Sequence, residues 1–155
     1  MTTNHPEVLQ RAISRMVLKF PFYAAITLMT KLEQCDEIPT AATDCYTKIM
    51  YNREFIEALT ADQAMFVLAH EVEHIVRLHG DRRASRDPMR WNVAADHVIN
   101  TDLLAVGLKG PVDEKGRFMG MADSKFHNMP EEKVYRILEQ EQPEQQPQDG
   151  GEGDG

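Results

Sequence analysis

Cysteine is scarce in this sequence, with Cys35 and Cys45 the two examples among 155 residues. Two cysteines cannot supply the several disulfides that stabilise small secreted domains. A secretory signal is not recognisable either, because Arg11, Arg15 and Lys19 interrupt the apolar positions near the start of the chain. We therefore expect free thiols and a cytoplasmic protein.

Long apolar runs and an excess of basic residues are also missing. The longest mostly apolar stretch, residues 20–29, is much shorter than the roughly 18–20 residues of a membrane-spanning helix. The 17 lysines and arginines are outnumbered by 25 acidic residues, which gives a formal charge of −8. Because nucleic acid repels a negatively charged protein, we expect neither nucleic acid nor a membrane as a partner.

The residues that are present fit one domain followed by a tail. The chain has the length of a single domain, and 42% apolar residues are enough for a buried core. Residues 141–155 consist of Gln, Pro, Gly and acidic residues and include no basic side chain. We predict a domain over residues 1–140 and a disordered acidic tail, or a truncated linker, over residues 141–155.

Two central helices are the clearest predicted elements. Apolar residues recur at helical spacing between 61 and 79, after Thr60 and Gln63 at the positions of a capping box and before a stop at Gly80. A second helix is predicted over residues 89–104 from a similar pattern. We expect the second helix to return antiparallel and to pack against the first.

The rest of the pattern adds two helices and a small sheet. One helix is predicted over residues 8–20, and a last helix begins near Asn128, which can cap it together with Glu131. Residues 46–51 alternate in polarity and favour a strand. Residues 22–32 are ambiguous between strand and helix, and we interpret them as a short strand. Together these elements predict an α+β domain.

The sequence HEVEH at residues 70–74 is the strongest functional signal. Residues four apart on a helix differ by about 40° in direction. His70 and His74 therefore face the same way and can bind one Zn²⁺ ion. Glu71 lies at the edge of that face, where it can reach a water molecule instead of the metal. The alternative is a charged helix face that contains two histidines by chance.

A third metal ligand must come from elsewhere, because catalytic zinc sites have three protein ligands and one open position. Asp96 on the second helix is our first candidate, since an antiparallel return can bring it beside the histidine face. His79 would face away from His70 if the first helix continues that far, and His97 points about 100° away from Asp96. Both histidines stay open as alternatives, and Asp96 could also support a histidine ligand by a hydrogen bond.

Four segments resemble the bacterial and phage family of putative metallopeptidases, in which a zincin-like domain usually precedes a von Willebrand A-like domain. The segments are TDCYTKIMYNREFIEALTADQ (43–63), FVLAHEVEHIVRLHGDR (66–82), WNVAADHVIN (91–100) and NMPEEKVYRIL (128–138). The similarity extends over roughly residues 8–140. The resemblance implies a zincin-like fold in which the motif helix packs with a second ligand-bearing helix and a small sheet.

The resemblance also implies roles for individual residues and partners. Matching positions make His70, His74 and Asp96 the metal ligands and Glu71 the general base. A von Willebrand A-like domain or an associated ATPase is the partner that the family implies. The chain contains no such domain and stops within what resembles the linker.

The leading hypothesis is a zinc-dependent peptidase that acts on a peptide or protein through a metal-activated water, with Glu71 as general base. The alternative is a non-catalytic adaptor or regulatory module that binds metal for stability, for which a closed site with four protein ligands is expected. The strand at 46–51 is a candidate edge for binding an extended peptide. His97, Tyr51 and Arg77 are candidates for stabilising an oxyanion.

Overall fold

The computed structural model describes residues 4–141, which form a mixed α+β domain. In chain order its elements are α1 (Glu7–Lys19), α2 (Pro21–Met29), β1 (Lys31–Gln34), β2 (Ala41–Thr43), β3 (Lys48–Tyr51), α3 (Arg53–Glu57), α4 (Ala61–Val76), α5 (His79–Arg82), α6 (Pro88–Ala105) and α7 (Glu131–Glu141). None of these helices is long and apolar enough to cross a membrane. Cys35 and Cys45 are both free thiols.

Helix α4 carries the HEVEH motif and runs through the centre of the domain. It begins with the predicted capping box, in which the backbone N–H of Gln63 donates to the Thr60 hydroxyl and the backbone N–H of Thr60 donates to the Gln63 side chain. Residues 64–74 are all buried. Helices α1 and α2 pack against one side of α4, and α6 packs against another. The charged motif is therefore held inside the protein.

The segment at residues 22–32, interpreted above as a strand, is mostly helical. Pro21 occupies the first turn of α2, where its fixed φ suits a helix and its missing N–H leaves no bond unmade. The helix ends at Met29, and strand β1 begins only at Lys31. The strand interpretation was wrong because a short apolar run has no periodicity that separates strand from helix.

The sheet has the order β1-β3-β2, with β3 parallel to β1 and antiparallel to β2. The predicted strand at 46–51 corresponds to β3, which is the central strand of the three. Both of its edges are already paired, so the prediction that it offers an edge to a peptide was wrong. Among the described residues, β2 is the edge strand that lies against α4.

Helix α4 ends three residues earlier than predicted. Its last residue is Val76, and Leu78 then adopts the left-handed conformation with φ 56°. This turn reverses the chain direction and starts the short helix α5 at His79. Gly80, the predicted stop, lies inside α5. His79 is therefore not on the face of α4 that a continuous helix would have given it.

A second apolar cluster joins α6 to α7 around the side chains of Trp91, Phe126 and Val134. Asn128 does not cap α7, because it has a left-handed φ of 63° and the first α7 hydrogen bonds go to the carbonyl of Pro130. The helix extends through Glu141, one residue into the predicted tail. Residues 142–155, the rest of that tail, lie outside the described residues.

Candidate metal centre

His70, His74 and Asp96 come together between α4 and α6. The Nε2 atoms of His70 and His74 are 3.2 Å apart, and Oδ1 of Asp96 is 3.1 Å from the first and 3.5 Å from the second. All three side chains are buried, with 4–5% of each residue exposed. Within residues 4–141, this is the group of side chains able to hold a metal ion.

The spacing of the three atoms fits a small metal ion. Ligands bound tetrahedrally to zinc at 2.0–2.1 Å lie about 3.3–3.4 Å from one another. The three observed separations of 3.1–3.5 Å have this size. Oδ1 of Asp96 is buried and makes no hydrogen bond with acceptable angles, although both imidazoles are close to it. A buried carboxylate oxygen without a hydrogen bond is unfavourable unless a cation binds it, so the donor set fits a metal ion.

The charges around the site also favour a cation. Burial lowers the pKa of His70, but the carboxylates of Asp96 and Glu71 outweigh that effect and raise the pKa to about 9. Burial lowers the pKa of His74 to about 4, and the neighbouring His70 contributes in the same direction. Burial opposes ionisation of Asp96, yet the two histidines hold its pKa below its usual range. The protein therefore stabilises one positive charge beside Asp96.

Asn100 orients His70 from the side opposite the metal position. Its amide N–H donates to the carbonyl of Met121 at 3.0 Å, which turns the amide oxygen towards His70. Nδ1 of His70 lies 2.8 Å from that oxygen and donates to it. A neutral imidazole with its proton on Nδ1 has its lone pair on Nε2. When a metal ion displaces the Nε2 proton of His70, the bond to Asn100 keeps the Nε2 lone pair directed at the metal position.

His79 and Glu131 orient the imidazole of His74. Glu131 is the first residue of α7, and its buried carboxylate accepts a hydrogen bond from Nε2 of His79. Nδ1 of a neutral His79 is then an acceptor, and Nδ1 of His74 lies 2.9 Å from it. His74 donates from Nδ1 and keeps its lone pair on Nε2. A relay of two imidazoles and one carboxylate fixes the tautomer of His74.

The Glu131 carboxylate is itself held by arginines. Arg82 on α5 donates to Glu131 at 3.1 Å and to the neighbouring Glu132 at 2.7 Å. Burial would raise the pKa of Glu131, but the hydrogen bond from His79 and the contacts with Arg82 hold it at about 2. Trp91 fixes the middle member of the relay, because its indole N–H donates to the backbone carbonyl of His79 at 2.9 Å.

A cavity of about 370 Å³ opens beside the three ligand atoms. His70, Glu71 and Asp96 line it together with mostly apolar side chains. His74 and His79 are not among the residues that line the cavity. A ligand in the cavity can therefore approach the metal position and the Glu71 carboxylate together.

Residues 4–155 match a family described as "Putative metallopeptidase domain". The chain belongs to this family. Comparison with curated proteins and with solved structures gives no match.

The metallopeptidase family and the His70, His74 and Asp96 group agree on a metal site, and the two alternative ligands lie outside that group. His79 contacts His74 through Nδ1 instead of pointing at the metal position. His97 accepts a hydrogen bond from the backbone N–H of Asp123 at 3.1 Å. The preference for Asp96 over His79 and His97 as the third ligand is thus compatible with the geometry. Metal binding itself stays a prediction.

The candidates for oxyanion stabilisation do not line the cavity beside the candidate metal centre. The hydroxyl of Tyr51 lies 2.7 Å from Nδ1 of His5. Arg77 donates to Glu73 and to Asp102. None of Tyr51, Arg77 and His97 is among the cavity residues, so the structure gives no support to these three assignments.

Sequence reasoning missed the residues that hold the two histidines in place. Glu131 was interpreted as part of a helix cap, whereas its carboxylate is buried against His79. Asn100 bonds the Met121 carbonyl and orients His70. A buried glutamate on a polar, amphipathic helix leaves no local signal in the sequence, since its partner is 52 residues away.

Proposed function

We propose that this protein is a zinc-dependent peptidase of zincin-like fold, in which His70, His74 and Asp96 hold Zn²⁺ and Glu71 acts as general base. The observation that carries the proposal is that the three candidate ligands lie together and that two of them, His70 and Asp96, line a cavity that Glu71 also lines. Catalytic zinc sites have three protein ligands and a position open to substrate. The membership of the chain in a metallopeptidase family supports the same assignment.

The chain's own residues supply the positioning and the proton transfer. Bound Zn²⁺ would supply a Lewis acid that lowers the pKa of water and polarises a carbonyl group. The Glu71 carboxylate takes a proton from the attacking water as the water oxygen bonds to the carbonyl carbon. When the C–N bond breaks, Glu71 returns the proton to the leaving amine nitrogen. Asn100 and the His79–Glu131 relay hold the imidazoles so that Nε2 of each faces the metal position.

An extended substrate can pair with strand β2. This strand is at the edge of the sheet, and Thr40 and Ala41 at its start line the cavity. An extended peptide adds to such an edge through its backbone hydrogen bonds. The scissile bond would then run past Glu71, which lines the same cavity.

Metal analysis of purified variants tests the ligand assignment. We expect one zinc per chain in the wild type, a loss of zinc in His74→Ala and Asp96→Ala, and full retention in Glu71→Gln. His97→Ala and the exposed His127→Ala serve as matched histidine controls and should keep their zinc. Stoichiometric zinc in Asp96→Ala, or its loss in His97→Ala, would sink the proposed third ligand.

Hydrolysis of unfolded proteins or peptides tests the role of Glu71. The Glu71→Gln variant should lose at least about 100-fold in kcat, because general acid–base catalysis contributes this much or more. Glu54→Gln, an exposed change on α3, is the control and should keep full activity. Equal activity of Glu71→Gln and wild type would overturn the mechanism. A zinc-loaded protein without any hydrolytic activity would favour the non-catalytic, metal-stabilised module.

A further inference from the structure

The cavity beside the candidate metal centre is lined by apolar side chains over most of its wall. Phe66 and Val67 of α4 and Phe55 of α3 line it. The segment between α6 and α7 adds Pro111, Phe118, Met119 and Met121. Among the lining residues, His70, Glu71 and Asp96 are the ones that can carry charge, and all three belong to the metal and catalytic group proposed above.

Backbone pairing and a ring contact hold Phe118 in place at the wall of the cavity. Val112 and Phe118 form an antiparallel bridge, and the backbone N–H of Met119 donates to the carbonyl of Pro111 at 2.9 Å. The Phe118 ring meets the edge of Phe66 with 5.4 Å between ring centroids. At Gly120, an added Cβ atom would come within 2.6 Å of the Phe118 ring. Gly120 is therefore needed for the ring to occupy this position.

Asn100 connects the same wall to the candidate metal centre. Its amide oxygen accepts from His70, and its amide N–H donates to the carbonyl of Met121. The wall and the ligand His70 are thus positioned by one side chain. Because His70 and Met121 line the same cavity, a group seated against Met121 shares that cavity with a candidate metal ligand.

Met119 and Met121 expose apolar surface at the cavity rim. Met119 is 62% exposed and Met121 is 40% exposed. Exposed apolar side chains that surround a pocket mark a ligand-binding surface. Methionine is unbranched and polarisable, so it adapts to aromatic and aliphatic groups of different shape. The rim therefore favours an apolar occupant.

We propose that this cavity binds one side chain of the substrate next to the scissile bond, and that it selects an uncharged aromatic or long aliphatic side chain. The proposal rests on the peptidase function proposed above, because the metal centre makes the occupant a substrate. An acidic side chain would lose its hydration in the apolar part of the cavity, where no lysine or arginine is among the lining residues. A basic side chain would lose its hydration against Phe66, Val67 and Phe118 without a dedicated carboxylate partner.

Hydroxamates that carry different side chains test which side chain the cavity prefers. Their binding is measured on the full, zinc-loaded chain. Acetohydroxamate reports on the metal alone, and 3-phenylpropanohydroxamate adds an aromatic group. Succinic monohydroxamate and β-alanine hydroxamate add an acidic and a basic group. The phenyl compound should bind at least about tenfold more tightly than acetohydroxamate, because a ring of this size is removed from water. Equal affinities of these two, or a tighter acidic or basic compound, would overturn the proposal.

Methionine methyl NMR reports whether the probe occupies this cavity. The phenyl compound should shift the methyl signals of Met119 and Met121 and leave the signal of Met29, which is exposed on α2. Met121→Glu should remove most of the tenfold preference, whereas Met29→Glu, the matched control, should keep it. A preference that persists in Met121→Glu without any shift at Met119 would assign the ring to another site.

The two proposals fail in different ways. The methyl shifts are also measured with 3-phenylpropionamide on metal-free protein, where neither zinc nor catalysis is needed. Shifts at Met119 and Met121 in a protein that cleaves no peptide would contradict the peptidase function and leave the apolar subsite standing. Cleavage without preference for an apolar side chain, and without methyl shifts, would contradict the subsite alone.

Discussion

His70 and His74 each present Nε2 to the candidate metal position because a different neighbour accepts the hydrogen bond that Nδ1–H donates. Asn100 is that neighbour for His70, and the His79–Glu131 pair serves His74. Partners of this kind fix the ring orientation and raise the basicity of a ligand histidine. These residues should therefore influence metal affinity without touching the metal.

Replacing Asn100 with Ala should weaken zinc binding. The variant loses the acceptor for the His70 N–H, and loss of such a partner lowers metal affinity by about 10–100-fold. The affinity can be measured by competition with a chromophoric chelator. Asn92→Ala on the same helix is the control and should bind zinc like the wild type. Unchanged affinity in Asn100→Ala would show that the hydrogen bond has no role in binding.

Glu131 should make the stability of the domain depend on pH in the acidic range. Its folded pKa is about 2, below its ordinary value of 4.5, so the unfolded chain binds the proton first as the pH falls. The stabilisation from this carboxylate is complete above about pH 4.5 and is lost progressively as the pH falls towards 2. Urea unfolding of wild type and Glu131→Gln between pH 2.5 and pH 6 measures the effect.

The Glu131→Gln variant should lose about 2 kcal/mol of unfolding free energy at pH 6, because a buried hydrogen bond to a charged group is replaced by a neutral one. Its stability should also change less with pH over this range. Glu54→Gln, an exposed substitution, should follow the wild-type curve. Parallel curves for wild type and Glu131→Gln would contradict the role given to this carboxylate.

At the scale of elements, the end of α4 decides where His79 lies. Leu78 has a left-handed backbone, so the chain turns back and α5 brings His79 to Nδ1 of His74. A continuous helix through residue 79, as the apolar pattern predicted, would have turned His79 away. The positive φ of Leu78 thus places His79 where it can form a hydrogen bond with the candidate metal ligand His74.

Substitutions at Leu78 test this turn. Valine is β-branched and strained at positive φ, whereas glycine accepts this conformation freely. Leu78→Gly should therefore exceed Leu78→Val in unfolding free energy by about 1–2 kcal/mol. Leu78 is 55% exposed, so little packing is lost in either variant. Equal stability of the two variants in urea unfolding would show that the turn is not strained.

At the scale of the whole molecule, the candidate metal centre joins α4 to α6, so metal binding should stabilise the entire domain. A ligand that binds the folded state alone at 100 times its Kd adds about 2.7 kcal/mol. EDTA should lower the melting temperature of the wild type and leave that of Asp96→Ala unchanged. A similar EDTA effect on both proteins would mean that metal stabilises the domain from another site.

The proposed substrate site also belongs to the molecule as a whole. Its walls come from α3, α4, α6, the start of β2 and the segment before α7, which are far apart in sequence. The von Willebrand A-like domain and the associated ATPase, implied as partners by the family resemblance, stay predictions. The acidic residues 142–155 lie beyond the described part of the chain.

The sequence by itself determined the features that depend on local periodicity. Helical spacing places His70 and His74 on one face, and the capping box of Thr60 and Gln63 begins the helix as predicted. The same local patterns predicted α6 and the α+β class. They failed for α2, because its apolar run is too short to show a period.

Only the tertiary structure decided which distant groups meet. The Glu131 carboxylate reaches His79 across 52 residues, and Asn100 reaches His70 across 30. The sheet order put β3 in the centre, so β2 became the edge beside the cavity. Such contacts depend on the path of the chain and on packing around α4. Spacing along the sequence therefore predicted the motif, while packing determined its supports and the shape of its cavity.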